Sequence, residues 1–127
     1  MIDVEIYTPQ GLYKKTEASI INVVSEEGQR GILPNHMPMV VSLAIGPMNM
    51  EEKKREYYAI HGGVLYFSDN KATILTPAIE NRDEIDIERA QSAKERAEKH
   101  ISDPNMDIKR AQLALQRALA RIKVKND

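Results

Sequence analysis

No cysteine occurs among the 127 residues, which excludes disulfides, thiolate metal sites and thiol nucleophiles together. Tryptophan is also missing and phenylalanine occurs once, so five tyrosines supply nearly all of the large aromatic packing. Neither charge sign is in excess: 18 basic and 19 acidic residues leave a formal net charge of -1. That balance argues against a nucleic-acid binder, whose footprint is strongly basic. Long hydrophobic runs are lacking as well. The longest, Met37 to Met48, is broken by Ser42, Gly46 and Pro47 and falls short of the ~20 residues needed to span hydrocarbon. The start, Met1 to Glu5, has neither the basic flank nor the apolar run of a secretion signal. The chain is therefore expected to be soluble and uncleaved, with no direct membrane span, and to meet a membrane only through a partner.

Catalytic signatures are equally scarce. Nothing matches a nucleophile elbow, a phosphate-binding glycine loop, a zinc helix or a dinucleotide fingerprint. The three histidines, His36, His61 and His100, have no ligand-like spacing. A structural role suits each, with His36 set apart by its exposed turn context. Neither covalent nor acid–base catalysis is expected.

What is present divides into two parts with different periods. From Ile2 to about Ala78, short β-branched or alternating stretches are punctuated by turn residues every eight to twelve positions. Ile2, Val4 and Ile6 alternate with Asp3 and Glu5, and Gly62-Gly63 separates Tyr57–Ile60 from Val64–Phe67. This spacing predicts an antiparallel sandwich or barrel, with prolines at strand ends and corners. From Asn81 onward there is no glycine, a single proline (Pro104), and an abundance of Ala, Glu, Lys, Arg and Gln. That composition predicts two helices, roughly Asp86–His100 and Asn105–Lys123, folded as an antiparallel hairpin about Pro104, with Asp103 and Asn105 near the second helix's cap. The fold class is thus α+β, a sandwich followed by a helical hairpin.

The hairpin's apolar stripes are thin. Ala90, Ala93, Ala97 and Ile101 would face Ile108, Ala111, Leu115, Ala118 and Ile122. Each alanine hides about one methyl, so three contribute roughly 2–3 kcal/mol before entropy is subtracted. Such a hairpin is expected to undock readily. It also carries two cationic stripes: Arg110, Ala114, Arg117 and Arg121 on the second helix, and Arg89, Ala93, Arg96 and His100 on the first. Guanidinium forks match phosphate oxygens bidentately. A solvated amphipathic flank, with Glu88, Glu95 and Glu98 pairing locally, accounts for the same pattern.

Four segments in the correct order carry a resemblance. Ile85-Asp86-Ile87-Glu88-Arg89-Ala90 fits a hydrophobic-Asp-x-x-Arg-Ala motif. Gly31 to Pro38 fits a glycine-started proline–histidine corner, Ala59 to Leu65 a strand–GG–strand, and Lys109 to Ala118 a second C-terminal helix. Together they resemble the epsilon subunit of bacterial, bacillus-type F-type ATP synthases. Asn35 stands where that family often has glycine, and asparagine also tolerates positive φ. His61 replaces a small polar residue.

The resemblance implies a sandwich of about ten strands (residues 1–84) bound to the gamma subunit and the c-subunit ring, and a regulatory hairpin (85–127). The hairpin would either fold on the sandwich or extend along gamma toward the alpha/beta catalytic head and inhibit ATP hydrolysis. The subunit would be non-catalytic and peripheral on the cytoplasmic side of the cell membrane. ATP, not hydrolysed, would bind the folded hairpin through Glu80, Ile85, Asp86, Arg89, Ala90, Arg96, Arg117 and Arg121. Mg²⁺ would be an optional companion, no carboxylate set being dedicated to it. Pro34, His36 and Pro38 would meet the c ring. Two other readings stay open: a structural coupler that binds no nucleotide, and a β-sandwich binding module or enzyme with a pocket around His36 and His61.

Overall fold

The computed structural model describes residues 1–103, 105 and 107–126, so the expected helix break at Pro104 lies outside the described residues. The alternation in β1 (Ile2–Thr8) has the expected consequence: Ile2, Val4 and Ile6 are fully buried. β2 (Gly11–Ala18), β3 (Ile20–Ser25), β4 (Gly28–Ile32), β5 (Met39–Glu51), β6 (Arg55–Ser68), β7 (Lys71–Leu75) and β8 (Ile79–Asn81) follow. Neighbours run β2-β1-β7-β6-β5-β3-β4, with β8 added to β6. Residues from both ends of this path, Ala18 on β2 and Ile32 on β4, share one core with Phe67 and Tyr58. A flat sheet cannot bring its ends together, so this one folds over into the two layers of a sandwich.

The strand count is eight among the described residues, not about ten. The cause lies in β5 and β6, which are 13 and 14 residues long and pair in one unbroken hairpin register from Met39↔Phe67 to Glu51↔Arg55. Gly62-Gly63 is therefore no turn between strands. Both residues sit at positive φ (83° and 115°) inside β6. There the strand changes neighbour, from β8 at Tyr58–Ile60 to β7 at Val64–Ser68. A Cβ on Gly63 would lie 2.1 Å from the Leu75 carbonyl oxygen, so only glycine lets β6 pass. Pairing is antiparallel except between β1 and β7, which run parallel. Pro47 lies within β5 rather than at a strand end, but it falls where the β3–β5 register slips, so its missing N–H interrupts no regular ladder.

After a 3₁₀ turn at Arg82–Glu84 come α1 (Ile87–Ile101) and α2 (Ile108–Asn126). Asp86 caps α1 by accepting from the Arg89 N–H at 3.1 Å. Asp107, rather than Asp103 or Asn105, caps α2 in the same way, accepting from the Arg110 N–H at 3.1 Å. The expected alanine seam is present, with Ala90, Ala97, Ala111 and Ala118 buried. It is not all that holds the hairpin. Ala120 and Val124 turn a second face of α2 toward the sandwich, where Val124 joins Ile85, Ala59 and Tyr57 in a separate apolar cluster. That docking face was missing from the two-stripe reading. Ile108, assigned to the seam, is 46% exposed.

Candidate functional site

The junction between sandwich and hairpin is built from short capped pieces. Asn81 accepts from the Asp83 N–H at 2.8 Å while Glu84 accepts from the Asn81 N–H at 3.2 Å, a capping box on the 3₁₀ turn. Tyr13 on β2 donates to Glu84 at 2.5 Å. Burial and that carboxylate push the Tyr13 phenol well above its ordinary range. Asp86 then starts α1. The turn is thus tied at both ends, and Glu80, the middle residue of β8, is presented to α2 from a firm support.

Glu80 is the polar centre. Its Oε1 accepts from the Arg121 Nε–H on α2 and lies 3.3 Å from His61 Nε2 on β6. The hydrogen bond with His61 is the largest influence on this carboxyl. With Arg121 it holds Glu80 below the ordinary carboxylate range, against the opposing effect of burial. An ionised carboxylate only accepts, so His61 Nε2 carries a proton and donates to Glu80. His61 Nδ1 is buried with no partner among the described residues. His61, a departure from the family pattern with no consequence evident in the residues alone, buttresses Glu80 in the structure. The signal available in sequence was its place before Gly62-Gly63, on the strand that β8 joins.

The arginines fall into two groups. Successive residues turn by about 100° around a helix axis. Arg89 and Arg96 each precede a buried seam alanine, Ala90 and Ala97, and Arg117 precedes Ala118. In antiparallel helices these offsets are mirrored, so all three emerge on one side of the hairpin. It is the side on which α2 meets the sandwich and Arg121 meets Glu80. Arg89 and Arg96 are exposed and make no ion pair among the described residues, whereas Arg117 and Arg121 are half-buried. Arg117 Nε is buried without a partner among the described residues. Arg117 also lines a cleft of about 590 Å³ between α2 and β5, with Leu43, Ile45, His61 and Lys123. Of the other candidates, Ile85 is buried against Val124, Ala90 lies in the seam, and the Asp86 carboxylate is committed to its cap. Among the described residues no three His, Asp or Glu side chains converge as a metal set. No helix there is long and apolar enough to cross a membrane.

Pro34, His36 and Pro38 lie far from this centre, on the connection from β4 to β5. Asn35 takes φ 63° there, and its N–H donates to Asn70 Oδ1 at 2.9 Å. His36 is exposed and sets its ring edge-on to Phe67, with centroids 6.1 Å apart. Leu33 and Met37 on this connection, and Val40 and Tyr66 on the adjoining ends of β5 and β6, are exposed apolar residues. His61 is six residues before Phe67 on β6, roughly 20 Å at strand rise. A shared pocket for His36 and His61 is therefore ruled out.

A folded-over β-sandwich with a docked helical hairpin, and guanidinium groups gathered at the junction, defines a two-part architecture. Comparison with known proteins gives it a family. Residues 1–82 match the family model "ATP synthase, Delta/Epsilon chain, beta-sandwich domain", and residues 83–126 match its "long alpha-helix domain". The ATP synthase epsilon chain of Bacillus pumilus is 41% identical over 125 residues, covering 97% of this chain and 95% of that one. The epsilon chain of Pediococcus pentosaceus is 40% identical, covering 98% and 94%. The chain belongs to the ATP synthase epsilon chain family. Among solved structures, the fold is shared with a chain of the Euglena gracilis mitochondrial ATP synthase OSCP/F1/c-ring assembly. That match has TM-score 0.87 and 24% identity, and covers 99% of this chain and 81% of that one. A chain of the Tetrahymena thermophila mitochondrial ATP synthase central stalk/c-ring structure matches with TM-score 0.62 at 16% identity, covering 98% and 93%.

Proposed function

We propose that this chain is a non-catalytic rotor subunit of an F-type ATP synthase. Its sandwich would join the gamma subunit to the c ring at the cytoplasmic face of the cell membrane. Its hairpin would set ATP hydrolysis by position: extended along gamma toward the alpha/beta head it inhibits, and docked on the sandwich it permits. ATP is the ligand of the docked form, with adenine toward the Asp86 end and phosphates toward Arg89, Arg96, Arg117 and Arg121. Mg²⁺ is optional.

The observation that carries this reading is the placement of Arg89, Arg96 and Arg117 on one side of the hairpin, beside the Glu80–Arg121 pair. A polyanion there would touch both helices and the sandwich at once, which a ligand of the docked form must do. At about 1,000 times its dissociation constant, such a ligand stabilises the docked form by about 4 kcal/mol. That is comparable to what an alanine seam supplies. Titration of the purified chain with ATP is the test. Saturable binding, abolished by Arg89→Ala with Arg117→Ala, is expected, and no binding at high ligand concentration removes the sensor.

A coupler that senses no nucleotide is favoured by one observation. The Arg121 guanidinium is already held by Glu80, so a phosphate must compete with a carboxylate for it. In that case the titration is flat while association with gamma and the c ring persists.

A further inference from the structure

The geometry points to a second device at this junction, separate from the arginine stripes: a reciprocal clasp between Arg82 and the end of α2 that sets how firmly the hairpin docks. The Arg82 Nε–H donates to the Val124 carbonyl oxygen at 3.0 Å, and the Lys125 ammonium donates to the Arg82 carbonyl oxygen at 3.1 Å. Each residue's side chain thus holds the backbone of the other's element. The Arg82 guanidinium also lies over the Tyr57 ring, 3.9 Å from its centroid. Beneath it Val124, Ile85 and Ala59 are buried together.

Three physical points make this a docking control rather than a surface contact. Val124 lies among the last four residues of α2 (Ile108–Asn126), whose carbonyls have no partner within the helix. Arg82 therefore caps α2 from another element, and a cation suits the negative end of the helix dipole. The contact also needs arginine, because one planar group must stack on tyrosine while donating in its own plane. A lysine would keep the charge and lose that combination. Finally, Arg82 Nη2 is buried with no partner among the described residues. That uncompensated donor makes the clasp openable.

The inference rests on the reading that the hairpin undocks, but not on nucleotide binding, since none of these residues belongs to the arginine stripes. Because the chain has no cysteine, Lys53→Cys and Gln112→Cys place a fluorescence pair on the β5–β6 turn and the exposed side of α2 without removing any native thiol. In the full-length chain without ATP, Arg82→Ala and Tyr57→Leu are each expected to raise the undocked fraction about tenfold. Arg82→Lys should behave like Arg82→Ala. A docked fraction unchanged in Arg82→Ala and Tyr57→Leu, or fully retained by lysine, overturns the clasp. If ATP leaves the parent chain's signal unmoved while the variants still undock, the nucleotide reading fails and the clasp stands.

Discussion

Glu80 and Arg121 are 41 residues apart in sequence and joined by a direct side-chain hydrogen bond, one on the last strand of the sandwich and the other near the end of the hairpin. The pair spans the boundary between sandwich and hairpin, so under the proposed undocking its strength is part of the docking equilibrium.

One consequence is a pH dependence. The folded-state pKa of Glu80 is depressed by His61 and Arg121, so the unfolded or undocked form binds a proton more readily. The stability from this pair is present above the ordinary carboxylate value near 4.5 and is lost as pH falls through the lower, folded value. The protection factors of α2 amides, corrected for the intrinsic slowing of exchange in acid, should therefore fall on acidification in that window. Glu80→Gln should flatten this component. An identical acid response in the glutamine variant would show that Glu80 is not its source.

The alanine seam makes a steric prediction. Ala118 is fully buried where the helices approach closely. Ala118→Leu inserts three heavy atoms with no room for them and should destabilise the hairpin by about 1–3 kcal/mol. Sandwich strands, which have their own core, should keep their exchange protection. Uniform loss of protection across both parts would contradict this division.

Gly63 should be among the least replaceable residues. Its φ of 115° and the 2.1 Å approach to the Leu75 carbonyl act together. Gly28 shares a positive φ (127°) but has nothing within 4 Å of its Cβ position. Gly63→Ala should therefore lower stability by about 2 kcal/mol more than Gly28→Ala in urea unfolding. Equal costs would mean that backbone strain, and not the close approach, limits the site.

The exposed apolar corner tests the assembly reading. Met37 is 71% exposed beside His36, so Met37→Glu should change the stability of the isolated chain by less than about 0.5 kcal/mol. In the complex it should weaken attachment to the c ring, measured by co-purification. Undiminished retention would move the ring contact elsewhere.

Much of this architecture was legible in residue patterns, and its misreadings have definite causes. Period-two burial in Ile2, Val4 and Ile6 and the alanine stripes follow from local geometry, and the positive φ of Asn35 follows from what asparagine tolerates. Gly62-Gly63 reads as a turn because a glycine pair usually is one; here it lets a long strand pass Leu75 and change neighbours. The pairing of Glu80 with Arg121, the buttress from His61 and the hold of Arg82 on Val124 join residues that no helical or strand period relates. Only the docking of α2 brings them together, so the hairpin appeared less well held than it is.

Docking of α2 on the sandwich is proposed to respond to a polyanion among the hairpin arginines. The most direct test is the distance between labels at Lys53→Cys and Gln112→Cys in the assembled rotor, followed as ATP is added and withdrawn. A short distance is expected at saturating ATP and a long one after removal, with the response abolished by Arg89→Ala and Arg117→Ala together. An equally short distance at every ATP concentration would contradict it.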